Sequence, residues 1–218
     1  MEHWHEVEDW LRGSAHDDVV ACGAIRPTLV AFAGPRPLLI ARWRSFQPGD
    51  GHLALAELLT VTTPLGADRL AAAIGGTIRP LDRLAPPPGA GDPLASPLEA
   101  DGGPRDALVI AMAECGARNG PRCTLTPYER SAGGVQWGLP DVTEAVAGWL
   151  PQMLQTAVQD STTSRPSTGD VAALALRCLV LGHELRVRDH AANALGAAAR
   201  VPVPRSGSAA SVRPRPGN

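Results

Sequence analysis

Between Leu84 and Asp106 the chain reads LAPPPGAGDPLASPLEADGGPRD. Pro86, Pro87, Pro88, Pro93, Pro97 and Pro104 remove backbone donors and lock φ, and Gly89, Gly91, Gly102 and Gly103 add conformational freedom in place of packing. No helix or strand runs through such a belt, so it must cross the surface or join two parts of the chain. The residues on either side read as two blocks with the same order: strands, then a helix. Each block holds only three or four strands and one or two helices, thin for independent folding in an Ala-rich chain. One core shared by both blocks is therefore expected, with the belt lying over it.

In the first block, Trp4, Val7 and Leu11 stand at helical spacing and predict a short amphipathic helix over residues 3–12. Val19–Ile25, Thr28–Ala33 and Leu38–Phe46 then read as strands separated by Arg26-Pro27 and Gly34-Pro35. Asp50 is placed to cap a helix running to Thr62. Arg69–Arg79 has an alanine run that suits a helix, but Gly75-Gly76 followed by Thr77-Ile78 favours a strand. In the second block, Ala107–Glu114, Arg122–Arg130 and Val135–Trp137 read as strands. Asp141 and Glu144 have capping-box spacing and predict a helix with Val142, Ala145, Val146 and Trp149 as its stripe, kinked by Pro151. A polar linker over Ser161–Gly169 leads to a helix over Val171–Leu181, closed by Gly182. Leu185 and Val187 alternate as a strand, Asp189 opens an Ala-rich helix to Arg200, and disorder is expected from Pro202 onward.

All twenty basic residues are arginines. Arg forms no Schiff base and stays protonated at neutral pH. The pattern excludes pyridoxal-phosphate and Schiff-base chemistry, Walker-A NTPases and ordinary protein kinases. No GxGxxG or GxxxxGK[ST] loop is present, so no nucleotide cofactor is expected. The net charge of −2 conceals an acidic start and an arginine-rich end, residues 161–218 holding eight arginines against three acids. That tail contains no aromatic residue to stack bases, which argues against nucleic-acid binding. Cys22, Cys115, Cys123 and Cys178 have no paired spacing and read as reduced thiols. The acidic N-terminus is unlike a secretory leader, and no apolar run reaches the ~20 residues that span a bilayer. A cytoplasmic location is expected, and the codon bias implied by Arg, Ala, Gly and Pro points to a GC-rich bacterium.

The candidate chemistry is sparse. His3 and His5 would point about 200° apart on a helix, and His183-Glu184 with Asp189-His190 misses HExxH spacing, so no metal site is expected. Glu57, Glu114 and Glu129 are the carboxylates left once the caps are assigned, and they are the candidates for general acid–base work. Cys115, at a strand end, is the best-placed thiol, with His52 or His183 as conceivable bases. Alternation places Arg42 and Arg44 on one face and Trp43 on the other, so the two arginines form a candidate partner-binding pair for an acidic surface, the chain's own N-terminal helix being one such surface.

These readings converge on an α+β protein: a mainly antiparallel sheet built from two strand–strand–helix blocks around one shared core. Residues 1–83 form the first block, 84–106 the surface linker, 107–160 the second block, 161–200 a helical segment and 201–218 a disordered tail. The expected function is that of a non-catalytic interaction or regulatory module with a protein partner. The first alternative is a hydrolase-type enzyme using the carboxylates or Cys115, and the second is nucleic-acid binding through the tail.

Overall fold

The computed structural model describes residues 2–78, 105–117, 120–131, 134–143, 148–163 and 168–187. In chain order the elements are α1 (Glu2–Cys22), β1 (Thr28–Ala33), β2 (Arg36–Arg42), α2 (Gly51–Thr62), β3 (Arg69–Ile78), β4 (Arg105–Glu114), β5 (Arg122–Ser131), β6 (Gly134–Trp137), β7 (Asp141–Thr143), α3 (Trp149–Thr163), α4 (Thr168–Val180) and β8 (Glu184–Val187). The eight strands form one sheet in the order β6-β5-β4-β3-β1-β2-β8, with β7 also on β5. Every pairing is antiparallel. The fold is α+β with a mainly antiparallel sheet.

Of the expected linker, Arg105 and Asp106 belong to strand β4, at the centre of the sheet. β3 and β4, which flank the belt, pair from Arg69↔Glu114 to Ile78↔Arg105. The blocks on the two sides of the belt are thus halves of one ladder.

Helices cover both faces of the sheet. Leu29 and Ala31 of β1, Leu70 and Ala72 of β3, and Ala111 and Ala113 of β4 pack with Leu55, Leu58, Leu154, Val158, Val171 and Ala175 of α2, α3 and α4. The alternate positions, Val30, Phe32, Ala71, Ala73, Ile110 and Met112, pack beneath Val7, Leu11, Ala15 and Val19 of α1. Two-sided cover explains why β1 and β3 read as continuous apolar runs, TLVAFA and RLAAAI. Alanines on both faces of β3 keep the central layer thin.

Several expectations are corrected. The first helix does not stop near Gly13: α1 runs on to Cys22, and the residues from Val19 to Cys22 belong to it and not to a strand. Ala15 and Val19 extend the stripe begun by Val7 and Leu11, and burying that stripe outweighs the roughly 1 kcal/mol cost of a helical glycine. The third strand run also begins earlier and ends at Arg42 instead of Phe46. Asp50 stands at the N-cap of α2, but its side chain makes no capping hydrogen bond.

The predicted helix from Asp141 is instead strand β7, and α3 starts at Trp149. β6 pairs with Tyr128–Ser131 of β5, which leaves the edge at Cys123–Leu125 to be completed by β7. Backbone groups at a sheet edge overrode the local capping signal. Pro151 does not kink α3, because it sits in the first turn, where N–H groups have no helical acceptor. The polar stretch 161–169 begins inside α3 and ends inside α4. The helix expected over Asp189–Arg200, the tail from Pro202 and nearly all of the belt lie outside the described residues. No described helix is long and apolar enough to cross a membrane.

Gly13 lies exposed within α1, and a Cβ built there meets no atom within 4 Å. Gly13→Ala should stabilise the fold by about 0.5–1 kcal/mol, read as a raised denaturant midpoint at unchanged m-value. A loss of stability would mean that the helix is not continuous through this position.

Candidate functional site

The end of α4 places a densely bonded polar cluster around His183 and Glu57. Gly182 adopts φ 98°, which glycine takes without strain. The Gly182 N–H donates to the Leu179 carbonyl and the His183 N–H to the Cys178 carbonyl, both at 3.0 Å. These two bonds form a Schellman cap. The turn drives the His183 imidazole inward, where its side chain is 0% exposed.

Two further elements meet the ring there. β2 ends at Arg42, and the chain leaves it through buried Trp43, whose N–H donates to the Pro27 carbonyl at 2.9 Å. This exit brings Arg44 toward α2. Its Nε and Nη2 donate to the two oxygens of Glu57 at 2.7 and 2.8 Å, a bidentate pair. His183 Nε2 lies 2.8 Å from Glu57 Oε2, and the Arg44 backbone N–H donates to His183 Nδ1 at 3.1 Å. Because Nδ1 accepts, Nε2 carries the hydrogen that is donated to Glu57. From α4, the Cys178 thiol donates to the Glu57 carbonyl at 3.3 Å.

The electrostatics follow from this geometry. The Arg44 guanidinium, helped by the His183 N–H and opposed by burial, holds Glu57 down from 4.5 to about 2. Burial, helped by the Arg44 charge and opposed by Glu57, lowers the His183 pKa. Burial also pushes the Cys178 thiol up to about 11. The cluster therefore holds a carboxylate anion, a guanidinium cation and a neutral imidazole.

The other candidates are dispersed. Glu114, at the end of β4, accepts a hydrogen bond from Trp4 Nε1 of α1 at 3.0 Å. Cys115 follows it in an exposed turn, and its N–H donates to the Asp68 carbonyl at 2.9 Å. Glu129 is exposed on β5 opposite Gln136. The β4–β5 register puts Glu114 and Glu129 at opposite ends of the ladder, about 31 Å apart along it at some 3.4 Å per residue. Neither lies on an element bonded into the Glu57 cluster. His52 is exposed, with Nδ1 2.9 Å from the Gly49 carbonyl and its ring against Trp149, and His183 is committed to Glu57, so no bond brings either base to Cys115.

Arg42 and Arg44 do not share a face, because the alternation ends with β2 at Arg42. Arg42 reaches into the α1 layer, bonding Asp18 at 2.6 Å, Thr28 Oγ1 at 2.7 Å, the Arg26 carbonyl at 2.8 Å and Ser14 Oγ at 2.7 Å. Arg44 serves the opposite layer through Glu57. The sequence offers His183 as a badly spaced metal ligand or as a conceivable base for Cys115, and not as a partner of Glu57. The helix-ending Gly182 before it was visible, but its partners lie 126 and 139 positions away. Among the described residues no group of three or more His, Cys, Asp or Glu could hold a metal ion. An open groove of about 500 Å³ runs between α2 and α3, lined by Leu59, Thr60, Thr63, Trp149, Gln152 and Thr156.

Glu57→Gln should lower stability by about 2 kcal/mol at pH 7, because it strips a partly buried bidentate acceptor from Arg44. A folded-state pKa below the unfolded one gives stability that is full above the ordinary value and lost as pH falls through the folded value. The difference between the wild type and Glu57→Gln should therefore be constant above 4.5 and shrink toward about 2, measured by denaturant titration across pH. A difference that stays the same down to the acid end would show that Glu57 does not act as a carboxylate anion.

No protein-family model matches this chain, no curated protein is similar to it, and no solved structure matches it.

Proposed function

We propose that this chain is a non-catalytic interaction module that binds a protein partner through the outer face of α4. The observation that carries this reading is that α4, TGDVAALALRCLV, is apolar on both sides. Its inner side, Val171, Ala175 and Cys178, is buried in the core. On the outer side Leu176 is 45% and Val180 79% exposed, one helical turn apart, and Leu181 at the helix end is 39% exposed. A helix that is hydrophobic all round is ordinarily covered on all sides. Exposed Arg177 stands beside Val180 at the border of this stripe. The matching partner surface is an apolar ridge with an acidic residue at its margin.

The polar groups support the same reading. Glu57 already accepts from Arg44 and His183, and the His183 ring has no exposed surface, so a substrate has no route to the imidazole. A general base must come within hydrogen-bond reach of the proton that it removes.

The test uses Leu176→Ser with Val180→Ser, two surface changes that should each move stability by no more than about 0.5 kcal/mol. Proteins retained by the wild-type chain are purified and rebound to both forms. Burial of one such side chain is worth about 1.5 kcal/mol or more, so the double variant should bind at least about tenfold more weakly. Equal binding by both forms would overturn the reading. So would a hydrolytic turnover by the wild type that Glu57→Gln or Cys115→Ser abolishes.

A further inference from the structure

β8 is a short strand held at one edge of the sheet. It spans Glu184–Val187 and pairs only with β2, through Leu39↔Val187 to Arg42↔Glu184, at the end of the strand order. Its ion pair, Glu184 with Arg26 at 2.7 Å, joins two half-exposed side chains and contributes little. Leu185 packs against the core from a partly buried position. The firm anchor is His183, which immediately precedes the strand.

Both ring nitrogens of His183 are committed, and in opposite senses. Nδ1 accepts the Arg44 N–H, and Nε2 donates to Glu57. Only the neutral imidazole with its hydrogen on Nε2 satisfies both bonds. A proton taken from water onto Nδ1 would point at the Arg44 N–H and remove its acceptor. We propose that His183 is a proton-operated latch: its protonation releases the turn from Arg44, and β8 leaves the edge of β2. The exposed backbone of Leu39–Arg42 is then open to an extended segment of another chain. This inference stands apart from the α4 docking reading, because it concerns the chain without any partner.

The surrounding charges leave the latch to His183. From α2, Glu57 faces the ring, but both of its oxygens already hold Arg44. From the segment after β2, the Arg44 cation opposes a second positive charge, and Asp50 acts on Arg44 and not on the ring. From α4 comes the Cys178 thiol, which stays protonated through neutral pH, and from β8 comes Glu184, engaged by Arg26. Burial keeps the closed ring neutral, whereas the open ring takes its proton near the ordinary value of about 6.5. A group whose folded pKa is lowered gives stability that is full above the unfolded value and lost as pH falls below it. Opening of β8 should therefore become easier as pH falls below about 6.5, by at most about tenfold per pH unit. Glu57, at about 2, stays ionised throughout that range.

The experiment is hydrogen exchange of the full chain at pH 7.5, 6.5 and 5.5, corrected for intrinsic rates. Protection of the Leu39–Arg42 and Glu184–Val187 amides should fall between pH 6.5 and 5.5, by at most about fivefold. Amides at the sheet centre, Leu70–Ala73 and Ile110–Ala113, should keep theirs. His183→Asn keeps an oxygen near the Nδ1 position to accept the Arg44 N–H but cannot titrate, so its edge protection should not vary with pH. Should that variant fail to fold, imidazole ¹⁵N shifts of the wild type give the answer: His183 should show the Nε2–H tautomer and resist protonation at pH 6. Unchanged edge protection, parallel loss at the sheet centre, the same pH dependence in His183→Asn, or an imidazole that titrates at its ordinary value with β8 still protected would each overturn the latch.

Discussion

A sheet covered by helices on both faces has no solvent side, and most of this structure follows from that. The central strands β1, β3 and β4 must be apolar at successive positions, which removes the alternation that marks a half-buried strand. The interior must also be thin, and alanines meet that need: Ala31 and Ala72 face one layer, Ala71 and Ala73 the other. Small side chains bury less area each, so stability is gathered from many contacts on two faces. A chain with 4% aromatic residues can build such a core because neither layer depends on large side chains.

Polar groups at the borders of these layers act as ties. Arg42 joins β2 to α1 through Asp18 and Ser14, and Arg44 joins the end of β2 to α2 through Glu57. One short segment thus fastens helices on opposite faces of the sheet. Arg122 and Arg12 gather at Glu8, which is buried in α1. Buried carboxylates are retained in a protein only where cations and donors compensate them. The absence of lysine matters here, since the flat guanidinium fork bonds both oxygens of Glu57 at once.

Local sequence carried most of the element list. Thr28–Ala33 was legible from its apolar run and flanking turns, and Arg69–Ile78 from the paired glycines that end its alanine run. The closing of α4 at Gly182 was legible because only glycine takes that backbone angle freely. The readings that failed were those with a distant cause. Val19 joins α1 because its stripe is buried by the sheet, and Asp141 enters a strand because β5 has a vacant edge. The site was less legible still. Glu57 stood out as a carboxylate without a cap to make, but its partners Arg44 and His183 come from a strand exit and a helix end far away in sequence.

By itself, the sequence determined where the chain turns, which runs are apolar and that lysine chemistry is excluded, because these depend on residue type and near neighbours. It also set the expectation of one shared core, since each side of the Pro/Gly belt was too small to fold alone. Tertiary structure decided that the strands flanking the belt pair with each other at the centre of one sheet, that Arg42 and Arg44 part to opposite layers, and that His183 is held in one protonation state. The physical reason is common to all three. Strand pairing, two-sided burial and the compensation of buried charge join groups tens to more than a hundred positions apart, and no local pattern encodes which of them will meet.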